Sequence, residues 1–187
     1  MAQNPEITGR EILPIPDIPT RGKVALDARD AQFPPIKPLR PPQGAPNIVI
    51  VLIDDMGFGC PSANGGPINM PAMEKIAAGG LQYSRFHTTA LCAPTRQALL
   101  TGRNHHSAEM GSITETATSA PGQTSVRPNS VATIAEMLRL NGYNTGAVGK
   151  MHQTPVWEVS MSGPFDRWPT GDGFEKFYGF VGGETNQ

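Results

Sequence analysis

At 187 residues the chain has room for one domain with a real core rather than two. A net charge of -1 argues against a nucleic-acid partner or a polybasic membrane contact, and no apolar run approaches the ~20 residues that span a bilayer. Hydrophobic residues make up only 38%, while 21 glycines and 19 prolines assign much of the chain to loops.

Residues 1–45 read as a proline-rich arm, distinct from a domain at 46–187. Pro5, Pro14, Pro16, Pro19, Pro34, Pro35, Pro38, Pro41 and Pro42 rule out helix and favour extended or polyproline II backbone. The arm is either disordered or laid on a domain surface through Ile7, Ile12, Leu13, Ile15, Ile18, Val24 and Leu26. The stretch from Met1 to Glu11 lacks the apolar centre of a secretory signal. A cytoplasmic, reducing location is therefore expected, with Cys60 and Cys92 as free thiols.

The domain opens with a continuous apolar, β-branched run at 47–53, the mark of a strand buried on both faces of a parallel sheet. It ends in Asp54 and Asp55. Asn69 predicts a helix cap, with Pro71 in the first turn, Met73, Ile76 and Ala77 on one face, and Gly79 and Gly80 at the end. Residues 81–86 alternate like a second strand. Cys92 then opens a short helical pattern in which Pro94 suits the first turn and Gly102 the residue just past the end. That puts Cys92 at a helix N-terminus, where free N–H groups and the positive end of the dipole favour an anion or an activated sulfur. A buried structural thiol is the alternative.

Residues 104–128 form a long loop, of a length that carries function when ordered, with His105 and His106 near a pocket mouth. Ser130 or Asn129 caps a helix that shows Val131, Ile134, Ala135 and Leu138 on one face and closes at Asn141-Gly142. A third strand at 143–148 leads into Gly149-Lys150-Met151-His152, and 153–187 read as irregular chain rich in Pro, Gly and aromatics.

This order of elements points to an α/β fold with a mostly parallel sheet flanked by helices. Ligands bind beyond the carboxyl ends of strands in such sheets. Asp54-Asp55 and Lys150/His152 each follow a predicted strand, and Cys92 follows another by a few residues, so spacing draws all three to one sheet edge. Adjacent carboxylates repel unless a cation or donors offset them, and hard oxygen ligands suit Ca2+ or Mg2+; a helix cap or solvated turn is the alternative. Lys150 and His152, two apart, share a face on extended backbone. A fixed cation beside a titratable imidazole suits a site that holds a sulfate and moves a proton; a surface Lys and a satisfied His are the alternative. The segment is not a phosphate-binding P-loop, because Asn144 replaces its first glycine and Met151 its Ser or Thr.

The stretch from Leu91 to Arg103, with C-x-P-x-R followed by Leu-Leu-Thr-Gly-Arg, resembles the signature of the type I sulfatases, in which the cysteine is oxidised to formylglycine. Asp54-Asp55, C-x-P-x-R and G-K-x-H keep that family's order, with Met151 where the family has Trp. The segments 102–106, 165–169 and 177–180 and the proline-rich arm look like the arylsulfatase branch. The resemblance runs from about Asn47 to the end. It implies the sulfatase, alkaline phosphatase-like fold, incomplete at the C-terminus, and a divalent cation, Ca2+ ahead of Mg2+, on Asp54, Asp55 and the modified Cys92. In the implied reaction one oxygen of the hydrated formylglycine attacks sulfur and expels the alcohol or phenol. The second hydroxyl then loses a proton and the hemiacetal collapses, releasing sulfate. Arg96 would fix the formylglycine, Lys150 would neutralise sulfate oxygens, and His152 would bind or deprotonate the second hydroxyl. The implied partners are a small-molecule sulfate ester and a formylglycine-generating or sulfatase-maturing enzyme, with no nucleic acid and no membrane. Family members are longer and complete the metal site with a later Asp-Asn pair and the anion site with a later His and Lys, none of which is matched. The chain is thus expected to be an N-terminal portion, inactive alone. A phosphonate or phosphate ester hydrolase on the same scaffold and a non-catalytic remnant are the alternatives.

Overall fold

The computed structural model describes residues 22–33 and 39–185. They fall in two compact units, one within Met1–Pro38 and one within Leu39–Gln187. In the first, Lys23 and Gln32 exchange backbone hydrogen bonds of 3.1 and 3.0 Å across an antiparallel bridge, and Val24 and Leu26 are exposed. The other apolar residues proposed to pack the arm (Ile7, Ile12, Leu13, Ile15 and Ile18) and its prolines up to Pro38 lie outside the described residues.

The second unit holds helices α1 (Pro71–Ala78), α2 (Cys92–Thr101) and α3 (Ile134–Arg139) and strands β1 (Gly146–Lys150) and β2 (Lys176–Phe180). The strands pair in parallel, Gly146 opposite Lys176 through Lys150 opposite Phe180, with the long crossover that a parallel pair needs. The class is α/β with a parallel sheet, as expected. Among the described residues no helix is long and apolar enough to cross a membrane.

Local chemistry explains the helix ends. Pro71 stands in the first turn of α1. Gly102 ends α2 in the left-handed region at φ 64, where its N–H reaches Ala98 O at 2.9 Å. The cap of α3 is Thr133 rather than Asn129 or Ser130: its Oγ1 accepts from Glu136 N at 3.1 Å. Thr133-x-x-Glu136 is a capping-box pattern, and Asn129 and Ser130 instead sit in a turn closed by Val131 N to Pro128 O at 2.9 Å.

The strands depart more from expectation. β1 begins at Gly146, because Thr145 spends its groups on the loop before β2: its N–H donates to Glu175 Oε2 at 3.0 Å and its Oγ1 to Gly173 O at 2.7 Å. β2 forms where irregular chain was expected. Residues 47–53 and 81–86 pair with no strand among the described residues, and Val49 and Val51 are 83% and 77% exposed. A β-branched run has the propensity for a strand but becomes one only when a neighbour takes up its N–H and C=O groups.

Buried side chains join α2 to the 104–128 loop. Ala93, Ala108 and Met110 are fully buried, and Gln97 Nε2 donates to Ala108 O at 3.3 Å. The loop is held by Gly111 N to Gly122 O at 2.8 Å and by the Glu109 carboxylate, which accepts from Gly122 N at 2.9 Å and Thr124 Oγ1 at 3.0 Å.

Candidate active site

Cys92 is the first residue of α2, and Leu91 before it caps the helix without a side-chain hydrogen bond. The opening N–H groups of α2 are therefore not taken by a capping side chain. The Cys92 Sγ lies 2.9 Å from His152 Nδ1. His152 is reached from β1: Met151 N extends the ladder to Phe180 O at 3.1 Å, and the chain then turns at His152 with φ 46. Histidine tolerates this left-handed conformation better than branched residues do. The ring is buried, at 3% exposure.

One turn along α2, Arg96 ties three segments together. Its Nη1 donates to Lys150 O at 2.5 Å and its Nη2 reaches Asp54 Oδ1 at 3.3 Å. Its Nε is buried without a partner among the described residues. Lys150 Nζ donates to Asp54 Oδ2 at 2.7 Å. The Lys150 hydrogen bond, with help from Arg96, holds the Asp54 carboxyl below its usual range. Burial alone would lower the Lys150 ammonium, but Asp54 and the neighbouring Cys92 side chain together raise it. Both groups are ionised at neutral pH.

The structure thus brings together Asp54, Cys92, Arg96, Lys150 and His152 from the three segments that spacing had drawn to one edge. Asp55 is not joined to them: it is exposed, has φ 52, and makes no hydrogen bond or ion pair among the described residues. The His105 and His106 rings lie with centroids 4.3 Å apart, tilted by 39°, and His105 Nδ1 faces Met110 O at 3.2 Å. His105 lines a cavity of about 700 Å³ with Leu52, Phe86, Leu91 and Leu99, and Cys92 is not in its wall. Cys60 and Cys92 are both free thiols.

Sequence reasoning missed Glu115. Its carboxylate oxygens lie 3.0 and 2.8 Å from His152 Nε2, on the side of the ring away from Cys92. Partial burial is the largest single influence and would raise the Glu115 carboxyl, but the hydrogen bonds from His152, its own backbone N–H and Thr114 together outweigh it and the carboxyl lies below its usual range. It missed Gly183 too, where a Cβ would come within 2.7 Å of His152 Cε1. A single acid in an aperiodic loop and a glycine among glycines leave no spacing to read.

The hard oxygens of Asp54 and Asp55 suit Ca2+ or Mg2+, but Ca2+ takes about six to eight oxygen ligands. Among the described residues no group of three or more His, Cys, Asp or Glu could hold a metal, and both Asp54 oxygens already face cations. The residues described do not by themselves fit a complete cation site.

Residues 46–187 match the family model described as Sulfatase. An uncharacterised sulfatase of Schizosaccharomyces pombe is 31% identical over 148 residues, covering 75% of this chain and 25% of its own. The arylsulfatase of Klebsiella aerogenes is 33% identical over 77% of this chain and 30% of its own. Human arylsulfatase A is 37% identical over 72% of this chain and 25% of its own. Among solved structures, that of Ps i-CgsB aligns with a TM-score of 0.56 at 30% identity, over 71% of this chain and 27% of that one. The chain thus spans between a quarter and a third of the length of these relatives.

Proposed function

We propose, since this chain belongs to the sulfatase family, that it carries the nucleophile and part of the anion-binding machinery of a sulfuric ester hydrolase acting on a small-molecule sulfate ester. The observation behind this reading is the convergence of a helix-mouth cysteine paired with a buried imidazole and, from the same helix, a guanidinium that shares the Asp54 carboxylate with the Lys150 ammonium and holds the Lys150 carbonyl. Unmodified, Cys92 offers one nucleophilic group. Converted to formylglycine by a maturing enzyme, residue 92 would supply a hydrated aldehyde, with one oxygen to attack sulfur and another to release sulfate.

Each neighbour has a task that its position permits. Lys150 Nζ, fixed 2.7 Å from Asp54, turns its remaining donors to the oxygens of the bound sulfate. Arg96, anchored at both terminal nitrogens, keeps a buried Nε–H free for an oxygen on residue 92. His152 Nδ1, at 2.9 Å, accepts the proton that a hydroxyl there must lose. The N–H groups at the α2 mouth add positive potential where charge accumulates on the leaving sulfate. The divalent cation expected on Asp54, Asp55 and residue 92 is given no step in this reaction, since Arg96 and Lys150 take the two Asp54 oxygens and Asp55 stands apart.

The test is made on the full-length protein produced with a maturing enzyme. Mass spectrometry of the peptide holding residue 92 should show it lighter by the sulfur and two hydrogens lost, less the oxygen gained. The same preparation should hydrolyse an aryl sulfate faster than an aryl phosphate, and the 187-residue chain alone should not turn over. An intact thiol together with no turnover would leave a non-catalytic remnant, and a preference for the phosphate would reassign the substrate.

A further inference from the structure

We infer that Glu115 is a positioning residue: it fixes the orientation and tautomer of His152 so that the ring nitrogen facing residue 92 is the one bearing the lone pair. The inference rests on the function proposed above, which it deepens. A carboxylate only accepts hydrogen bonds. With Glu115 Oε2 at 2.8 Å and Oε1 at 3.0 Å from Nε2, the proton of a neutral ring belongs on Nε2. Nδ1 is then left free to accept from the group at 92, which lies 2.9 Å away. This is the arrangement of nucleophile, base and orienter, with Glu115 in the third place.

The surroundings hold Glu115 to that task. It lies in a single 3-10 turn, Thr114–Thr116, inside the 104–128 loop. Thr114 is buried at 1% exposure, and its Oγ1 donates to Glu115 Oε2 at 3.1 Å. The loop is anchored to α2 through fully buried Ala108 and Met110, so the acid arrives on a fixed element rather than a swinging tip. From a third side the backbone of Gly183 closes on the pair. A Cβ there would lie 2.9 Å from His152 Nε2 and 3.1 Å from Glu115 Oε1, so a glycine is what fits beside the pair. Glu109, the other acid of this loop, spends its carboxylate on loop N–H groups and cannot substitute.

The experiment uses the full-length protein, labelled with 15N at histidine, and compares it with Glu115→Gln and Glu115→Ala. Long-range 1H–15N spectra at pH 8 report which ring nitrogen of His152 carries the proton, with the signal assigned through His152→Gln. The native protein and Glu115→Gln, whose amide oxygen still accepts, should show Nε2–H; Glu115→Ala should shift to mixed tautomers or to Nδ1–H. On an aryl sulfate, kcat of Glu115→Ala should fall about 10–100-fold with KM within about twofold, and Glu115→Gln should recover most of it. An unchanged tautomer in Glu115→Ala, or a shifted tautomer with unchanged kcat, overturns the inference. If the native protein has no sulfatase activity, the functional reading falls, and the spectra alone still decide whether Glu115 sets the tautomer of His152.

Discussion

Removing the carboxylate of Asp172 should destabilise the protein more than any single change at its surface. Asp172 is 1% exposed, and it collects Arg127 Nη2 on one oxygen and Gln153 Nε2, at 2.9 Å, on the other. Its backbone carbonyl accepts from Thr133, the cap of α3. In Asp172→Ala the Arg127 guanidinium, 12% exposed, keeps only Val131 O, and Gln153, whose Oε1 already has no partner, loses its donor bond as well. Breaking one side of a buried ion pair costs about 3–5 kcal/mol, because the surviving charge stays buried. Asp172→Asn keeps one acceptor for Arg127 but sets an amide NH2 against the Gln153 donor, and should cost about 1–3 kcal/mol through that unmatched buried donor. Arg127→Met combined with Asp172→Leu should recover much of the Asp172→Ala loss. Urea unfolding followed by tryptophan fluorescence measures this, since Trp168 sits one turn before Asp172 and accepts Asp172 N–H on its carbonyl at 2.9 Å. Asp172→Ala losing less than about 1 kcal/mol, the range of an exposed ion pair, would refute the reasoning.

The pH dependence gives that prediction a sign. Burial pushes the Asp172 carboxyl above its ordinary 3.8, against the pull of Arg127 and Gln153. The folded state therefore holds a proton that the unfolded state has already released, and this contribution to stability declines as pH rises from about 3.8 through the folded value. The gap between the native protein and Asp172→Asn should narrow over that interval. Lys150→Ala in the full-length protein should lower kcat/KM on an aryl sulfate about 10²–10³-fold, with Lys150→Arg intermediate, in steady-state assays. Gly183→Ala puts a Cβ 2.7 Å from His152 Cε1, and it should cost about 1–3 kcal/mol in urea unfolding and lower kcat as the ring is displaced. Thr133→Ala should cost about 1 kcal/mol by the same unfolding assay, through loss of the bond from Glu136 N.

What could be read from the chain in order was what short-range chemistry controls. Pro94 and Gly102 bracket α2 because missing donors and left-handed φ are properties of those residues alone. Thr133 and Glu136 carry the start of α3 in the same short-range way, with Asn129 and Ser130 as competing cap residues a turn earlier. The run at 47–53 shows the limit of such reading: its residues are strand formers, yet no strand pairs with it among the described residues. β2 lay hidden in a stretch dominated by glycine and aromatics, and only its register against β1 identifies it.

The sequence by itself determined which candidate side chains are present, because a cysteine ahead of proline and arginine, two adjacent acids and a Lys-x-His segment are chemical facts about residue types at fixed intervals. Only the tertiary structure decided who faces whom. It joined Asp54 to Lys150 across 96 positions and Cys92 to His152 across 60, set Asp55 apart, and brought Glu115 to the far side of the imidazole. The physical reason is range: capping and turn preferences act over a few residues, whereas a hydrogen bond between distant segments exists only once packing has brought both backbones to within a few ångströms.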